Sequence, residues 1–122
     1  MSEAVSSGSW DPYEMRAALL ALNHGGRIFH MEERGDVIVA VAHYSDPGAI
    51  GIELRTFEYC VTLLPESRQF THHTVDRLGA PADTVLSRGF SMTGVTHPVD
   101  AVLAEGGWSK RASWVRRVFG GR

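Results

Sequence analysis

The alternation of hydrophobic and polar residues predicts a β-sheet built around residues 36–64. In residues 37–44 both alternating sets of side chains are apolar, apart from His43 near the end. A strand that is apolar on both faces is normally covered on both faces. The pattern therefore places residues 37–44 centrally in the sheet.

The segments on either side extend this sheet. Residues 27–33 alternate, and a tight turn at residues 34–35 joins them to the central strand in an antiparallel hairpin. A second turn is predicted at residues 46–48, where Asp, Pro and Gly follow one another. Residues 52–64 are compatible with a strand or a helix, because their apolar positions change parity near Arg55. A strand would accommodate this change with a bulge or a break.

A helix is predicted before the sheet. Asp11 can cap its first turn, Pro12 suits the first helical position, and Glu14 completes the spacing of a capping box. The apolar residues that follow recur at helical spacing, and the glycines at 25–26 end the helix. Residues 1–9 are mostly small and polar, which predicts a flexible lead-in.

The chain after Pro65 has the start and stop signals of helices. The expected elements are short helices over residues 71–78, over 81–88 and from Pro98 to 105, a short strand over 90–93, and a last helix over 108–119. The sequence therefore predicts a single α+β domain over residues 10–122. Its parts are an N-terminal helix, a mostly antiparallel three- to four-stranded sheet and a helical C-terminal half.

Composition narrows the class of protein. The chain has 122 residues, of which 43% are hydrophobic, as expected for one globular domain. Its single cysteine, Cys60, rules out an intramolecular disulfide. No stretch is long and apolar enough to span a membrane, and residues 1–9 lack the basic start and apolar core of a secretory signal. These observations predict a cytoplasmic protein.

The common catalytic motifs are missing from the sequence. It contains no glycine-rich phosphate loop, no dinucleotide fingerprint, no G-x-S-x-G elbow and no pair of C-x-x-C knuckles. We therefore predict no cofactor and no metal site. The absences favour a protein that binds over one that catalyses.

Histidines provide the best candidates for chemistry. His72 and Asp76 are four residues apart on a predicted helix, a spacing suited to two metal ligands or to a base and its orienting acid. His43, at a strand end, and His97, before a helix, could complete such a site. A metal-dependent or His/Asp acid–base enzyme is the third interpretation.

Residues 74–90 resemble a helix-turn-helix. Gly79 would supply the sharp turn, and apolar residues on either side of it would pack the two helices together. The second helix would present Thr84, Ser87 and Arg88 to DNA. Val75 departs from the alanine that is usual in this motif. A DNA-binding regulator that also uses a basic C-terminal helix is the second interpretation.

Charge divides the chain into two unequal parts. Seven basic and fourteen acidic residues precede Trp108, whereas five basic residues and no acidic residue follow it. Such a basic end can bind an acidic partner. The candidate partner-binding residues are Lys110, Arg111, Trp114, Arg116 and Arg117.

The first interpretation of function combines these points. We expect a small non-enzymatic binding or regulatory protein that acts through protein contacts, such as an adaptor, an inhibitor or an immunity-type protein. A protein partner is expected under this interpretation, and nucleic acid under the second.

Overall fold

The computed structural model describes residues 9–25, 27–48, 51–82 and 84–111. Within these ranges the chain forms, in order, helix α1 (Pro12–Leu20), a 3₁₀ helix (Ala21–Gly25), strands β1 (His30–Arg34), β2 (Val37–Gly48), β3 (Gly51–Leu64) and β4 (Gln69–Leu78), helix α2 (Met92–Glu105) and strand β5 (Ser109–Lys110). The described strands form one sheet in the order β1-β2-β3-β4-β5. The pairs β1–β2, β2–β3 and β3–β4 are antiparallel, and β5 pairs with β4 in parallel.

The capping box predicted at the start of α1 is confirmed. Asp11 Oδ1 accepts a hydrogen bond from Glu14 N at 2.7 Å, and Glu14 Oε1 accepts one from Asp11 N at 2.9 Å. These bonds satisfy backbone groups that the first helical turn leaves unpaired. Further along α1, Met15 and Leu19 are fully buried in the hydrophobic core.

Both faces of β2 are buried, as the sequence predicted. Ile38 and Ala40 lie on the face that packs against α1 and α2, which we call the helix face. Val39 and Val41 lie on the opposite face, which we call the far face, and form a smaller cluster with Cys60 of β3. β2 also lies between β1 and β3 in the sheet, so both of its edges are paired.

Residues 52–64 belong to a strand, because β3 pairs with β2 from Val37 opposite Thr62 to Gly48 opposite Gly51. The pairing is continuous, so the bulge or break expected near Arg55 is absent. The apolar residues change from one alternating set to the other near Arg55 because Ile52 and Leu54 are apolar residues that are exposed to solvent. The turn predicted at residues 46–48 was wrong, since these residues pair with β3.

The predicted helical C-terminal half was wrong. Residues 69–78 form a strand, and residues 81–82 and 84–88 contain no helix. β4 pairs with β3 along its full length, which gives backbone hydrogen bonds to those residues whose polar groups face β3, and this tertiary pairing overrides the local helix signals. The described part of the C-terminal half therefore contributes one helix, α2.

Helix α2 begins earlier than predicted and replaces the strand expected over residues 90–93. Ser91 caps it by accepting a hydrogen bond from Gly94 N at 3.0 Å, and Pro98 lies inside the helix. The buried residues Val95, Val99 and Leu103 recur at helical spacing and face the core.

The helix predicted over residues 108–119 was wrong at its start, because Ser109 and Lys110 form β5. Trp108 is buried, and its Nε1 donates a hydrogen bond to Trp10 O at 2.8 Å. The rest of that predicted helix lies outside the described residues. So do Trp114, Arg116 and Arg117, together with residues 1–8 of the predicted lead-in.

In the part of the chain that the structure describes, neither helix is long and apolar enough to cross a membrane.

Candidate functional site

The histidines and the aspartate proposed for catalysis do not meet. His72 and Asp76 share a face of β4, where a separation of four residues corresponds to about 13 Å. His43 lies on the far face of β2, and His97 is exposed on α2. Within the described ranges, no three His, Cys, Asp or Glu side chains are grouped in a way that could hold a metal ion.

Asp76 and His72 have structural neighbours instead. The Asp76 carboxylate accepts hydrogen bonds from Tyr44 OH at 3.2 Å and from Arg55 Nε at 3.3 Å. The His72 ring lies 5.2 Å from the ring of Tyr59, and its Nδ1 is buried without a hydrogen-bond partner among the described residues. Burial lowers the pKa of His72, and the charge of Lys110 lowers it further. These contacts are those of packed side chains.

A charged cluster lies on the far face around Glu58, whose exposed fraction is 5%. Its carboxylate accepts hydrogen bonds from Arg34 at 3.1 and 3.0 Å and from Arg77 at 3.2 Å. Glu32 accepts hydrogen bonds from Arg34 and forms an ion pair with His30 if that ring is protonated. The hydrogen bonds from Arg34 are the main reason why the pKa of Glu58 is lowered. Each carboxylate is thus neutralised within the protein.

The outer edge of β4 is open among the described residues. Phe70 directs its C=O outward, because it accepts a hydrogen bond from Arg111 N at 2.8 Å. Every second residue of a regular strand directs its backbone polar groups to the same side, and β4 pairs with β3 without a bulge. The outward N–H and C=O groups are therefore those of His72, Thr74, Asp76 and Leu78. No described residue forms a hydrogen bond with them.

The opposite edge of the sheet is partly closed. Asn23 Nδ2 donates a hydrogen bond to Met31 O at 3.1 Å, and Asn23 Oδ1 accepts one from Met31 N at 2.7 Å. The amide side chain thereby occupies the backbone groups with which an added strand would pair. β1 is also short and carries Glu32 and Arg34, which discourage pairing with another chain. The two edges of this sheet therefore differ in their capacity to accept a strand.

A pocket of about 380 Å³ lies between the connection that follows β4 and the adjacent parts of β1 and β2. The connection is fixed at both ends. Gly79 N donates a hydrogen bond to Leu54 O at 2.6 Å, and Ser87 N donates one to His43 O at 2.8 Å. Ser87 Oγ also donates a hydrogen bond to Ile28 O. These bonds hold the wall of the pocket against the sheet.

Hydrogen bonds hold the His43 ring in one orientation beside this pocket. Its Nδ1 lies 2.8 Å from Thr56 Oγ1, and Thr56 Oγ1 donates its proton to Gly79 O at 2.8 Å. Because a hydroxyl has one proton, Thr56 must accept a hydrogen bond from Nδ1–H of His43. Burial lowers the pKa of His43, and the charges of His30 and Arg77 lower it further. At neutral pH the ring is therefore uncharged and has an unprotonated Nε2.

The helix-turn-helix predicted over residues 74–90 was wrong. Its first part belongs to β4, and Thr84, Ser87 and Arg88 lie in the non-helical connection. Ser87 uses its N–H and its hydroxyl within the protein. The geometry that would have placed these side chains on DNA is not present in the described residues.

The sequence interpretation missed the surroundings of Glu58. A signal was available, because Glu58 lies between Phe57 and Tyr59 in a buried strand, and a buried carboxylate requires partners. The identity of Arg34 and Arg77 as those partners depends on strand order.

Comparisons of the chain with protein-family models, with curated proteins and with solved structures found no match.

Proposed function

We propose that this protein binds an extended segment of another protein, which adds as a strand to the outer edge of β4. The observation that supports the proposal is the row of outward backbone groups from His72 to Leu78, which have no partner among the described residues. Strand addition provides such groups with main-chain hydrogen bonds, and neighbouring side chains select the partner. Partial closure of the β1 edge by Asn23 leaves β4 as the favoured acceptor.

The side chains around the edge indicate the chemistry of the partner. Leu78 is 64% exposed at one end and would be covered by an apolar residue of the added strand. Lys110 and Arg111 lie at the other end, where β5 pairs with the first two residues of β4. An acidic residue of the partner would pair with these cations. The expected ligand is therefore an extended segment with an acidic end and an apolar end.

This proposal keeps the expected class of protein, a non-enzymatic binder such as an adaptor, an inhibitor or an immunity-type protein. Two of the candidate partner-binding residues, Lys110 and Arg111, are part of the proposed interface. Trp114, Arg116 and Arg117 lie outside the described residues.

Thr74→Pro tests the proposal, because it removes one outward N–H without removing a bond to β3. Proline is tolerated on an edge strand when its nitrogen faces solvent. Peptides selected from a random library against the full chain should bind the wild type and shift the backbone NMR signals of β4. Thr74→Pro should keep the fold and lose this binding. In the matched control, Val75→Pro, the lost N–H faces β3, and the fold itself should be destabilised.

Two results would contradict the proposal. One is that the selected peptides bind Thr74→Pro as well as the wild type. The other is that selection against the full chain yields no binding peptide whereas selection against a variant ending at Arg111 does, which would identify residues 112–122 as the occupant of the edge.

A further inference from the structure

The pocket beside His43 lies on a different part of the sheet from the β4 edge. Val85 and Leu86 of the connection line it, and their side chains are 89% and 38% exposed. Val41 contributes an apolar wall from β2. Two neighbouring apolar side chains left exposed beside a fixed cavity provide the surface that an apolar ligand would cover.

Among the described residues that line the pocket, those with a permanent charge are all cationic. Arg27 and Arg88 line the pocket, and neither forms an ion pair with a described residue. No carboxylate is among the described residues of the lining. In contrast, Arg34 and Arg77 on the same face both form ion pairs with Glu58. The arginines of the pocket therefore differ from those of the adjacent cluster, because they form no ion pair with a described carboxylate. Such cations suit a site that binds an anion.

His43 adds a directional requirement. The hydrogen bond from Nδ1–H to Thr56 leaves Nε2 of the uncharged ring as an acceptor, and no described residue donates a hydrogen bond to it. A ligand placed against His43 would therefore provide an N–H or O–H group. An ammonium group suits this position poorly, because the neighbouring arginines repel it.

We propose that this pocket binds a small organic acid in which a carboxylate contacts Arg27 and Arg88, an apolar body covers Val85 and Leu86, and a hydroxyl group donates to His43. A volume of about 380 Å³ lies at the small end of the range for ligand pockets. This favours a ligand the size of a single substituted ring over a nucleotide.

Titration of the full chain with 4-hydroxybenzoate, followed by backbone NMR, tests the proposal. The signals of residues 85–88 and of His43 should shift in a saturable manner. Benzoate, which lacks the hydroxyl, and 4-hydroxybenzyl alcohol, which lacks the charge, should each bind about ten-fold more weakly or worse, as expected for the loss of one charged or buried hydrogen bond.

Val85→Asp and Arg88→Gln provide the matched variants. Both residues are exposed, so neither change should alter the fold, and each should weaken the binding of 4-hydroxybenzoate about ten-fold or more. Arg16→Gln removes one cation outside both the lining and the β4 edge and should leave the affinity unchanged. The proposal is overturned if 4-hydroxybenzoate shifts no pocket signal, if all three probes bind equally, or if Arg16→Gln weakens binding as much as Arg88→Gln.

Discussion

Arg34 of β1 and Glu58 of β3 form a two-point ion pair across the intervening strand β2, with Nη1–Oε1 at 3.1 Å and Nη2–Oε2 at 3.0 Å. The pair ties together two strands that do not pair with one another. Glu58 is buried whereas the Arg34 side chain is 44% exposed. Breaking the pair therefore destabilises the fold mainly because a buried carboxylate loses its charged partner.

The first prediction concerns Arg34→Met. It should lower the free energy of unfolding by about 1–2 kcal/mol, because Glu58 loses two charged hydrogen bonds but keeps the one from Arg77. Arg16→Met is the control, since its ion pair with Glu33 is exposed on both sides and should contribute less than about 1 kcal/mol. Urea unfolding of both variants measures the difference, and equal costs would contradict this account of Glu58.

The second prediction concerns how the free energy of unfolding changes at acid pH. The folded state lowers the pKa of Glu58 below its ordinary value of 4.5, chiefly through the hydrogen bonds from Arg34. Its contribution is therefore complete above about pH 4.5 and is lost as the pH falls through the lower folded pKa. Glu58→Gln should unfold with a weaker pH dependence below about pH 5 than the wild type does. An equal pH dependence in the two proteins would mean that another carboxylate determines the loss of stability at acid pH.

The third prediction concerns His43. Its pKa is lowered from an ordinary value of 6.5 in the folded state, so the unfolded chain takes up a proton first as the pH falls. Stability should therefore decrease as the pH falls below about 6.5, until the folded ring also becomes protonated. His43→Gln should flatten this part of the profile. His72, whose pKa is lowered in the same direction, should account for the remaining slope.

The fourth prediction concerns the core of β2. Val39 is 1% exposed, and Val39→Ala removes two methyl groups and leaves a void. The substitution should lower the free energy of unfolding by roughly 1–3 kcal/mol. Val85→Ala, at a residue that is 89% exposed, should have no measurable effect. An unchanged melting temperature for Val39→Ala would be inconsistent with a packed far face.

The fifth prediction concerns hydrogen exchange along β4. The amides of His73, Val75 and Arg77 face β3 and should exchange slowly, whereas those of Thr74 and Asp76 face outward and should exchange fast. NMR-detected exchange on the full chain measures this alternation. Slow exchange at Thr74 and Asp76 that becomes fast in a variant ending at Arg111 would show that residues 112–122 protect the edge.

The sequence by itself determined the elements that depend on local bonds and simple periodicity. The capping box of α1 is formed by residues three apart, so its bonds could be anticipated from Asp11 and Glu14. Burial of both faces of β2 followed from apolar residues at both parities. Each of these signals lies within one segment and does not depend on what that segment packs against.

Only the tertiary structure decided the state of β4, the neighbours of Glu58 and the wall of the pocket at His43. Residues 71–78 have start and stop signals that fit a short helix, yet they form a strand because they pair with β3. Glu58 meets Arg34 and Arg77 because the sheet order brings together residues that are 24 and 19 positions apart. The pocket depends on the Ser87 bonds to His43 and Ile28, which join distant segments of the chain. Contacts between distant segments are fixed by strand order and register, and a single sequence contains no local signal for them.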